Sequence, residues 1–180
     1  MIIKAIAGSF REKSYNKMAL KYMVQGAQEA GADVEIINLT DYPMPIYDED
    51  TDKAGKPENV IKLKEKLAKA KGLLIATPEY NHSLPGGFKN VIDWLSRFKD
   101  QPFKGKWIAL AGASTSSWGT VRAQLAFLPV FRVLAAHVLP TQIYMPLAQN
   151  LFDEEGNIKD EGTKTRLIAL GKELAEKIKD

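Results

Sequence analysis

Hydrophobic and polar positions along the chain alternate between two periodicities. Short apolar runs bounded by glycine, proline or polar residues predict five strands, at residues 2–7, 34–39, 72–76, 107–111 and 138–145, the last interrupted by Pro140. Between them, apolar residues recur every three or four positions, which predicts five helices, at residues 16–30, 58–71, 87–98, 120–136 and 163–179. This alternation indicates a parallel sheet covered by helices on both faces.

The order of these elements predicts the fold. Right-handed crossovers and short connections favour an α/β fold with three layers, a doubly wound, five-stranded parallel sheet in the order 2-1-3-4-5. No repeat, low-complexity tract or linker interrupts the pattern, so residues 1–180 are expected to form a single domain. The segment from Asp41 to Pro57 contains prolines and the acidic cluster Asp48-Glu49-Asp50, and we expect it to lack regular structure.

Three polar loops follow predicted strands and precede predicted helices. They are Gly8–Asn16, Thr77–Gly86 and Gly112–Gly119. Because the carboxyl ends of parallel strands meet at one edge of a sheet, these loops are expected to line one crevice. We expect the chemistry of the protein to take place there.

Composition limits what that chemistry is. The 180 residues contain no cysteine, which excludes thiolate catalysis and Cys-ligated metal centres, so redox chemistry requires a bound cofactor. We expect no metal site. The formal net charge of +3 arises from interleaved basic and acidic residues, so no nucleic-acid partner is expected. No apolar stretch approaches the roughly 18 residues of a membrane span, and a signal-peptide pattern is missing, so we expect a cytoplasmic protein with no membrane partner.

The first loop has the residue types of a phosphate site. Ser9, Ser14 and Arg11 offer hydroxyl and guanidinium donors, and a helix begins near Asn16. Helix N-termini leave N–H groups unpaired and attract anions, so a phosphate monoester fits here. Alternatively, Ser14 is only a helix cap and Arg11 a solvated surface residue. The loop matches neither G-x-G-x-x-G nor G-x-x-x-x-G-K-[ST], which disfavours a tightly bound dinucleotide and a nucleoside triphosphate.

The second loop suits a planar ligand. Its prolines, Pro78 among them, restrict the backbone, while Tyr80 and Asn81 add a flat ring and hydrogen-bonding groups. The alternative is a structural turn in which Tyr80 covers the end of the sheet. Glu79 has no assignable partner for a general-base role. His82 is a lone loop histidine, and a surface position explains it more simply than proton donation.

Three ordered segments resemble those of a known family. They are Gly8-Ser9-Phe10-Arg11 with Ser14 and Asn16; Pro78-Glu79-Tyr80-Asn81-His82-Ser83 with Pro85-Gly86 and Lys89-Asn90; and Gly112-Ala113-Ser114 with Gly119 and Arg122-Ala123-Gln124. These are similar to the G-S-x-R-x-x-S-x-N, P-E-Y-N-x-S-x-P-G and G-A-S…R-A-Q segments of NAD(P)H-dependent FMN reductases. That family has a flavodoxin-like fold and includes quinone, azo-dye and chromate reductases. The similarity extends from Ile2 to about Leu139.

The resemblance implies a non-covalently bound FMN, with NADPH or NADH as the electron donor. The residues it implies as cofactor-binding are Ser9, Arg11, Ser14, Tyr15 and Asn16 toward the phosphate and ribityl chain, Pro78, Glu79, Tyr80 and Asn81 at the ring, and Ser114 and Gly119 on the far side. No side chain is expected to act as a catalytic nucleophile. The implied function is an oxidoreductase that passes electrons from a nicotinamide to quinones or similar small acceptors by a two-step, ping-pong mechanism.

The third loop departs from the family pattern at two positions. Ser116 and Thr120 stand where the family usually has glycine, so this loop is expected to be stiffer or less able to approach the flavin. Trp118 in the same loop fits either of two roles, lying over a flat ligand or packing against a neighbouring subunit.

Two functions of other classes remain open at this point. One is a flavodoxin-like FMN electron carrier that serves a protein partner, and the other is a binding protein without redox activity. Carriers of that kind tend to be strongly acidic, whereas this chain has a net charge of +3, so the enzyme is favoured.

The fourth predicted helix bears on assembly. Residues 121–134 are apolar nearly all round, which exceeds what a single sheet-facing stripe requires. With Trp94 and Phe98 nearby, this predicts a subunit interface, and the resemblance implies a homodimer or homotetramer. The alternative is a deeply buried helix covered by the C-terminal segment.

Overall fold

The computed structural model describes residues 1–179 and contains one parallel sheet. Its strands are β1 (Ile2–Ala7), β2 (Asp33–Ile37), β3 (Gly72–Ala76), β4 (Trp107–Ala113) and β5 (His137–Met145). They lie in the order β2-β1-β3-β4-β5, and every pairing is parallel. The predicted doubly wound, flavodoxin-like sheet is therefore confirmed.

Helices cover both faces of the sheet. They are α1 (Tyr15–Glu29), α2 (Glu49–Ala54), α3 (Glu58–Ala68), α4 (Gly86–Leu95), α5 (Val121–Val133), α6 (Ala148–Leu151) and α7 (Glu161–Lys177), with a 3-10 turn at Leu39–Asp41. The α1 and α7 helices share one core layer, and α3, α4 and α5 share the other. None of the helices within residues 1–179 is both long and apolar enough to cross a membrane.

The segment between Asp41 and Pro57 corrects one prediction. The acidic cluster Asp48-Glu49-Asp50, which we expected in a loop, begins helix α2. The Asp48 carboxylate accepts a hydrogen bond from the Thr51 N–H at 2.8 Å, and acidic residues fill the first turn, where the helix dipole favours them. The acidic cluster is therefore a helix start signal, and the prolines lie outside the helix.

Strand β5 contains a bulge at the predicted interruption. Ile108 of β4 pairs with Val138, but Leu110 pairs with Gln142, so β5 advances four residues while β4 advances two. Pro140 lies inside this bulge. Because β5 is at the edge of the sheet, the missing N–H of the proline leaves no central ladder broken.

A charge cluster links the other edge of the sheet to a helix. The ammonium of Lys4, a residue only 5% exposed, pairs with Glu35 on β2, and Lys66 of α3 pairs with the same carboxylate. These two hydrogen bonds lower the pKa of Glu35 to about 2. The cluster therefore holds β1, β2 and α3 together through one carboxylate.

Helix α5 is apolar on its outer side as well as toward the core. Phe127 and Phe131 are fully buried, whereas Leu125 and Val133 are 52% and 82% exposed. Trp94 of α4 is fully buried, and its indole N–H donates to the Pro45 carbonyl at 2.9 Å. The expectation that Trp94 contributes to an exposed interface is therefore wrong. Between α4 and α5, the large exposed apolar side chains are Leu125 and Val133 of α5.

Candidate functional site

The three loops meet at the carboxyl edge of the sheet, as predicted, and enclose a cleft. Its lining consists of Ser9, Arg11, Ser14, Tyr15, Asn16, Pro78, Glu79, Tyr80, Ala113, Ser114 and Thr115. Among the predicted site residues, Asn81 and Gly119 do not line the cleft. Ala113 and Thr115 do line it, and they belong to the predicted third loop although they were not among its predicted cofactor-binding residues. We call the part formed by Ser9–Asn16 the α1 end and the part formed by Pro78–Ser83 the hairpin end.

The α1 end is rich in unpaired donors. Ser14 caps α1, and its hydroxyl accepts a hydrogen bond from the Asn16 N–H at 3.2 Å. No backbone carbonyl within residues 1–179 accepts a hydrogen bond from the N–H groups of residues 9–13. The exposed guanidinium of Arg11 lies 5.3 Å from the centre of the Tyr15 ring. A helix N-terminus, free N–H groups and a guanidinium together suit an anion.

Asn16 braces the α1 end against β4. Its Nδ2 donates to the Ala113 carbonyl at 2.9 Å, and its Oδ1 accepts a hydrogen bond from the Ala113 N–H at 2.8 Å. Both polar groups of this buried side chain are therefore engaged within the protein. Its partner lies 97 residues away, so no local sequence signal indicates this role.

The hairpin end is a tight turn with two residues in the left-handed region. The Tyr80 N–H donates to the Ser83 carbonyl at 3.1 Å, and the Ser83 N–H donates to the Tyr80 carbonyl at 3.0 Å. The central residues, Asn81 and His82, have φ values of 50° and 62°, as in a type I′ turn. Their N–H groups have no backbone acceptor in the described chain, and Tyr80 is half exposed. The turn therefore presents a flat ring and free N–H groups beside the cleft.

Glu79 has a structural role that the sequence did not reveal. Its buried carboxylate accepts hydrogen bonds from the backbone N–H groups of Arg122 and Ala123, at 2.9 and 3.1 Å, in the first turn of α5. Thr120, the N-cap residue of α5, supplies no side-chain cap. Glu79 therefore caps α5 from another loop and puts a negative charge at the positive end of the helix dipole. His82 Nδ1 lies 3.6 Å from the other oxygen of this carboxylate, and its own side chain is largely exposed.

The third loop is folded on itself, with Ser114 and Thr115 lining the cleft. Ser116 is exposed, and its N–H donates to the Ser114 hydroxyl at 3.1 Å. Thr120, one of the two departures from the family pattern, is fully buried against Gly112. A Cβ on Gly112 would lie 2.2 Å from Thr120 Oγ1 and 2.3 Å from the Thr77 carbonyl oxygen, so only glycine fits there. Thr120 therefore packs against the wall of the site and does not line the cleft.

Trp118 lies on the surface beside α5. It is 63% exposed, does not line the cleft, and its ring centre is 5.1 Å from the Arg122 guanidinium.

Comparisons with known proteins agree with the chemistry of the cleft. Residues 1–150 match the family model described as NADPH-dependent FMN reductase. The chain is 39% identical over 160 residues to an NAD(P)H-dependent FMN reductase from Pseudomonas aeruginosa, covering 88% of this chain and 85% of that protein. It is 34% identical over 168 residues to a quinone reductase from Escherichia coli, covering 92% and 88%. A solved flavoenzyme NAD(P)H:(acceptor) oxidoreductase from Paracoccus denitrificans has a TM-score of 0.83 at 27% identity, covering 98% of both chains.

Proposed function

The chain belongs to the NADPH-dependent FMN reductase family, and from this premise we propose that it reduces quinones or similar small, flat acceptors in its cleft. Membership of the family gives FMN as the cofactor and NAD(P)H as the electron donor. The observation that carries the proposal is that one cleft joins an anion-binding end to an end with an exposed ring and free N–H groups. FMN has the same two parts, a phosphate monoester and a flat ring system.

The α1 end fits the phosphate of FMN. Ser9 and Ser14 line the cleft with hydroxyl groups, and Arg11 adds a charge-assisted donor. The free N–H groups of the loop and the N-terminus of α1 supply the remaining donors. We assign Tyr15 and Asn16 supporting roles, Tyr15 as a wall and Asn16 as the brace to β4.

The hairpin end fits the edge of the flavin ring. Pro78 and Tyr80 line the cleft, and the N–H groups of Asn81 and His82, in the turn beside it, have no backbone acceptor within residues 1–179. Ser114 supplies a hydroxyl on the opposite wall. Gly119 acts indirectly, because its positive φ shapes the third loop.

The chain's contribution to the reaction is binding and orientation. When bound, FMN would supply two-electron redox chemistry, through which NAD(P)H, one proton and a quinone would yield NAD(P)⁺ and a hydroquinone. Tyr80 is half exposed beside the cleft, which leaves room for donor and acceptor to bind in turn. We therefore propose a two-step, ping-pong reaction at one open face.

An anaerobic absorption spectrum tests this function. We expect the purified protein to be yellow, or to become so on reconstitution with FMN, and its flavin band to bleach when NADPH or NADH is added without oxygen. Subsequent addition of benzoquinone is expected to restore the band. A flavin that stays oxidised under saturating amounts of both donors would overturn the proposal.

We propose that two copies of the chain associate through the outer side of α5. Leu125 and Val133 of α5 are exposed, and so is Trp118, three residues before the helix begins. Apolar area of this kind marks interfaces more often than free surface. Light scattering is expected to report a dimer, or a tetramer made of two dimers, that Val133→Glu weakens and that the exposed control Ala54→Glu leaves intact.

Two simpler expectations complete the proposal. Since both core layers share one sheet, we propose that the chain unfolds as a single domain, which one calorimetric transition would support and two would contradict. We also propose that it works in the cytoplasm, where NAD(P)H is available, and cell fractionation tests this.

A further inference from the structure

A hollow lies at the edge of the sheet opposite the cleft. Three segments line it, just before β3, at the start of β4 and at the end of α7, and its volume is about 360 Å³. Because parallel strands begin at this edge and end at the cleft, the hollow is separate from the residues proposed to bind FMN. We call it the amino-edge hollow.

Among residues 1–179, four lysines and no carboxylate line the amino-edge hollow. The lysines are Lys71, Lys104, Lys106 and Lys177. None of the four forms an ion pair within the described chain. Over the whole sequence, 25 basic residues are nearly balanced by 22 acidic ones, so this hollow departs from the mixed charge of the chain. The four like charges repel one another, and a bound anion would relieve that repulsion.

Two of these ammonium groups are held in position by the fold. Lys177 Nζ lies 4.6 Å from the centre of the Trp107 ring, a cation–π contact. The ammonium of Lys106 donates to the carbonyls of Ala68 and Ala70, at the end of α3. Partial burial lowers the pKa of Lys106, and a bound anion would favour its charged form. Both cations are therefore placed at the hollow without a carboxylate partner.

The ends of helices account for only part of this cluster. Carbonyl groups at a helix C-terminus attract cations, and Lys106 serves that purpose at α3. Lys71 and Lys104, however, are exposed and lie in the connections that precede β3 and β4. Helix ends do not explain these two lysines, whereas an anion bound in the hollow explains all four.

We propose that the amino-edge hollow binds a small polyphosphate, either inorganic or the phosphate chain of a nucleotide. A phosphate monoester carries about 1.5–2 negative charges at pH 7, so a short chain of phosphates matches several ammonium groups within a small volume. Lysine binds phosphate as a compact point charge. A nucleic acid fits less well, because the cations surround a hollow and do not form a stripe. This inference does not depend on the proposed function.

Calorimetric titration of the FMN-loaded protein with sodium triphosphate tests the site. FMN occupies the α1 end, so the titration reports on other sites, and the experiment is made at about 0.15 M KCl to screen weak surface attraction. We expect the parent protein to bind triphosphate. Binding is expected to be at least about tenfold weaker in the triple variant Lys71→Ala/Lys104→Ala/Lys177→Ala, since three charge-assisted contacts are removed.

Two further variants make the titration decisive. The control removes the same charge from exposed lysines that form no ion pair in residues 1–179 and do not line the hollow, and it is expected to bind like the parent; it is Lys21→Ala/Lys159→Ala/Lys172→Ala. Lys104→Ala alone is expected to weaken binding about threefold, and it decides the question if the triple variant does not fold. If the protein binds no FMN, the proposed function is wrong, and the same variants of the apoprotein still test the hollow.

Other ligands identify what the hollow recognises. Equal affinity for ATP and triphosphate would show that the phosphate chain alone is bound, whereas tighter binding of ATP would indicate a nucleotide, and both results support the site. Citrate that binds as tightly as triphosphate would overturn the assignment to phosphate. Absence of triphosphate binding, an equal loss in the control variant, or tighter binding of duplex DNA would overturn the proposal.

Discussion

The α1 end and the hairpin end of the cleft use their polar groups differently. At the α1 end, the Ser14 hydroxyl caps α1 by accepting from the Asn16 N–H, and the N–H groups of residues 9–13 have no backbone acceptor within residues 1–179. At the hairpin end, the charged residue of the loop, Glu79, is directed at α5 and bonds two of its N–H groups. The α1 end thus keeps its donors for a ligand, whereas the hairpin end uses its carboxylate to hold the fold. Changes at the two ends are therefore expected to affect different quantities.

The largest effect on stability is expected at Glu79. Glu79→Ala leaves two N–H groups of α5 without a partner and is expected to lower the free energy of unfolding by about 2 kcal/mol. For a chain of this size that corresponds to a fall in melting temperature of roughly 4–8 °C. Glu79→Gln keeps an acceptor and is expected to lose less. Thermal unfolding of the apoprotein measures the melting temperatures of both variants. If Glu79→Ala melts at the same temperature as the parent protein, Glu79 does not stabilise the fold and the proposed difference between the two ends is wrong.

The next largest effect separates capping from ligand binding at Ser14. Ser14→Ala is expected to lower stability by about 1 kcal/mol, because the cap of α1 is lost. Ser14→Asp keeps a cap and is expected to melt like the parent protein. It also puts a carboxylate where the FMN phosphate is proposed to lie, so FMN should bind at least about tenfold more weakly. Flavin fluorescence titration gives the affinity for FMN. If Ser14→Asp binds FMN as tightly as the parent protein does, the FMN phosphate does not lie beside Ser14.

A smaller effect of opposite sign is expected at His82. Its φ of 62° is uncommon for a residue with a side chain, and glycine adopts it readily. His82→Gly is expected to raise the free energy of unfolding by roughly 0.5 kcal/mol, with FMN affinity unchanged. A chemical denaturation curve detects the change. Destabilisation instead would mean that the contact between His82 and Glu79 contributes more than the backbone conformation costs.

The smallest effect on FMN binding is expected at Glu35, which belongs to neither end. Lys4 and Lys66 lower its pKa to about 2 from its usual 4.5. Its contribution to stability is therefore complete above about pH 4.5 and is lost as the pH falls toward 2. Glu35→Gln is expected to flatten this part of the stability curve while FMN affinity near pH 7 stays the same. If the stability of the parent protein and that of Glu35→Gln fall equally between pH 4.5 and pH 2, the prediction is wrong.

Most of the fold was predictable because its signals are local. Apolar runs such as Gly72–Ala76 predicted the buried strands, and Ser14 marked the start of α1. Helix α2 was missed for a physical reason. Because prolines flank the Asp48 cluster, the segment was predicted to be a loop. An Asp cap followed by an acidic first turn nevertheless stabilises a helix, and α2 begins there.

The sequence predicted which residues lie at the site better than it predicted what each of these residues does. The lining of the cleft includes residues from all three predicted loops, because parallel strands bring their carboxyl ends together. The roles of Asn16 and Glu79 depend on partners 97 and 43 residues away, and such pairs exist only once the chain has folded. The left-handed turn at Asn81 and His82 was also not evident, since type I′ turns are most recognisable when the second central residue is glycine.

The bulge at Pro140 has a consequence for lateral growth of the sheet. A regular edge strand exposes a row of N–H and C=O groups that a strand of another molecule can join, the first step toward fibrils. In β5 the irregular pairing and the missing N–H of Pro140 break that row in the middle of the strand. This irregular edge disfavours pairing of β5 with a strand of another molecule. Replacing Pro140 by a β-branched residue is expected to favour such pairing and aggregation.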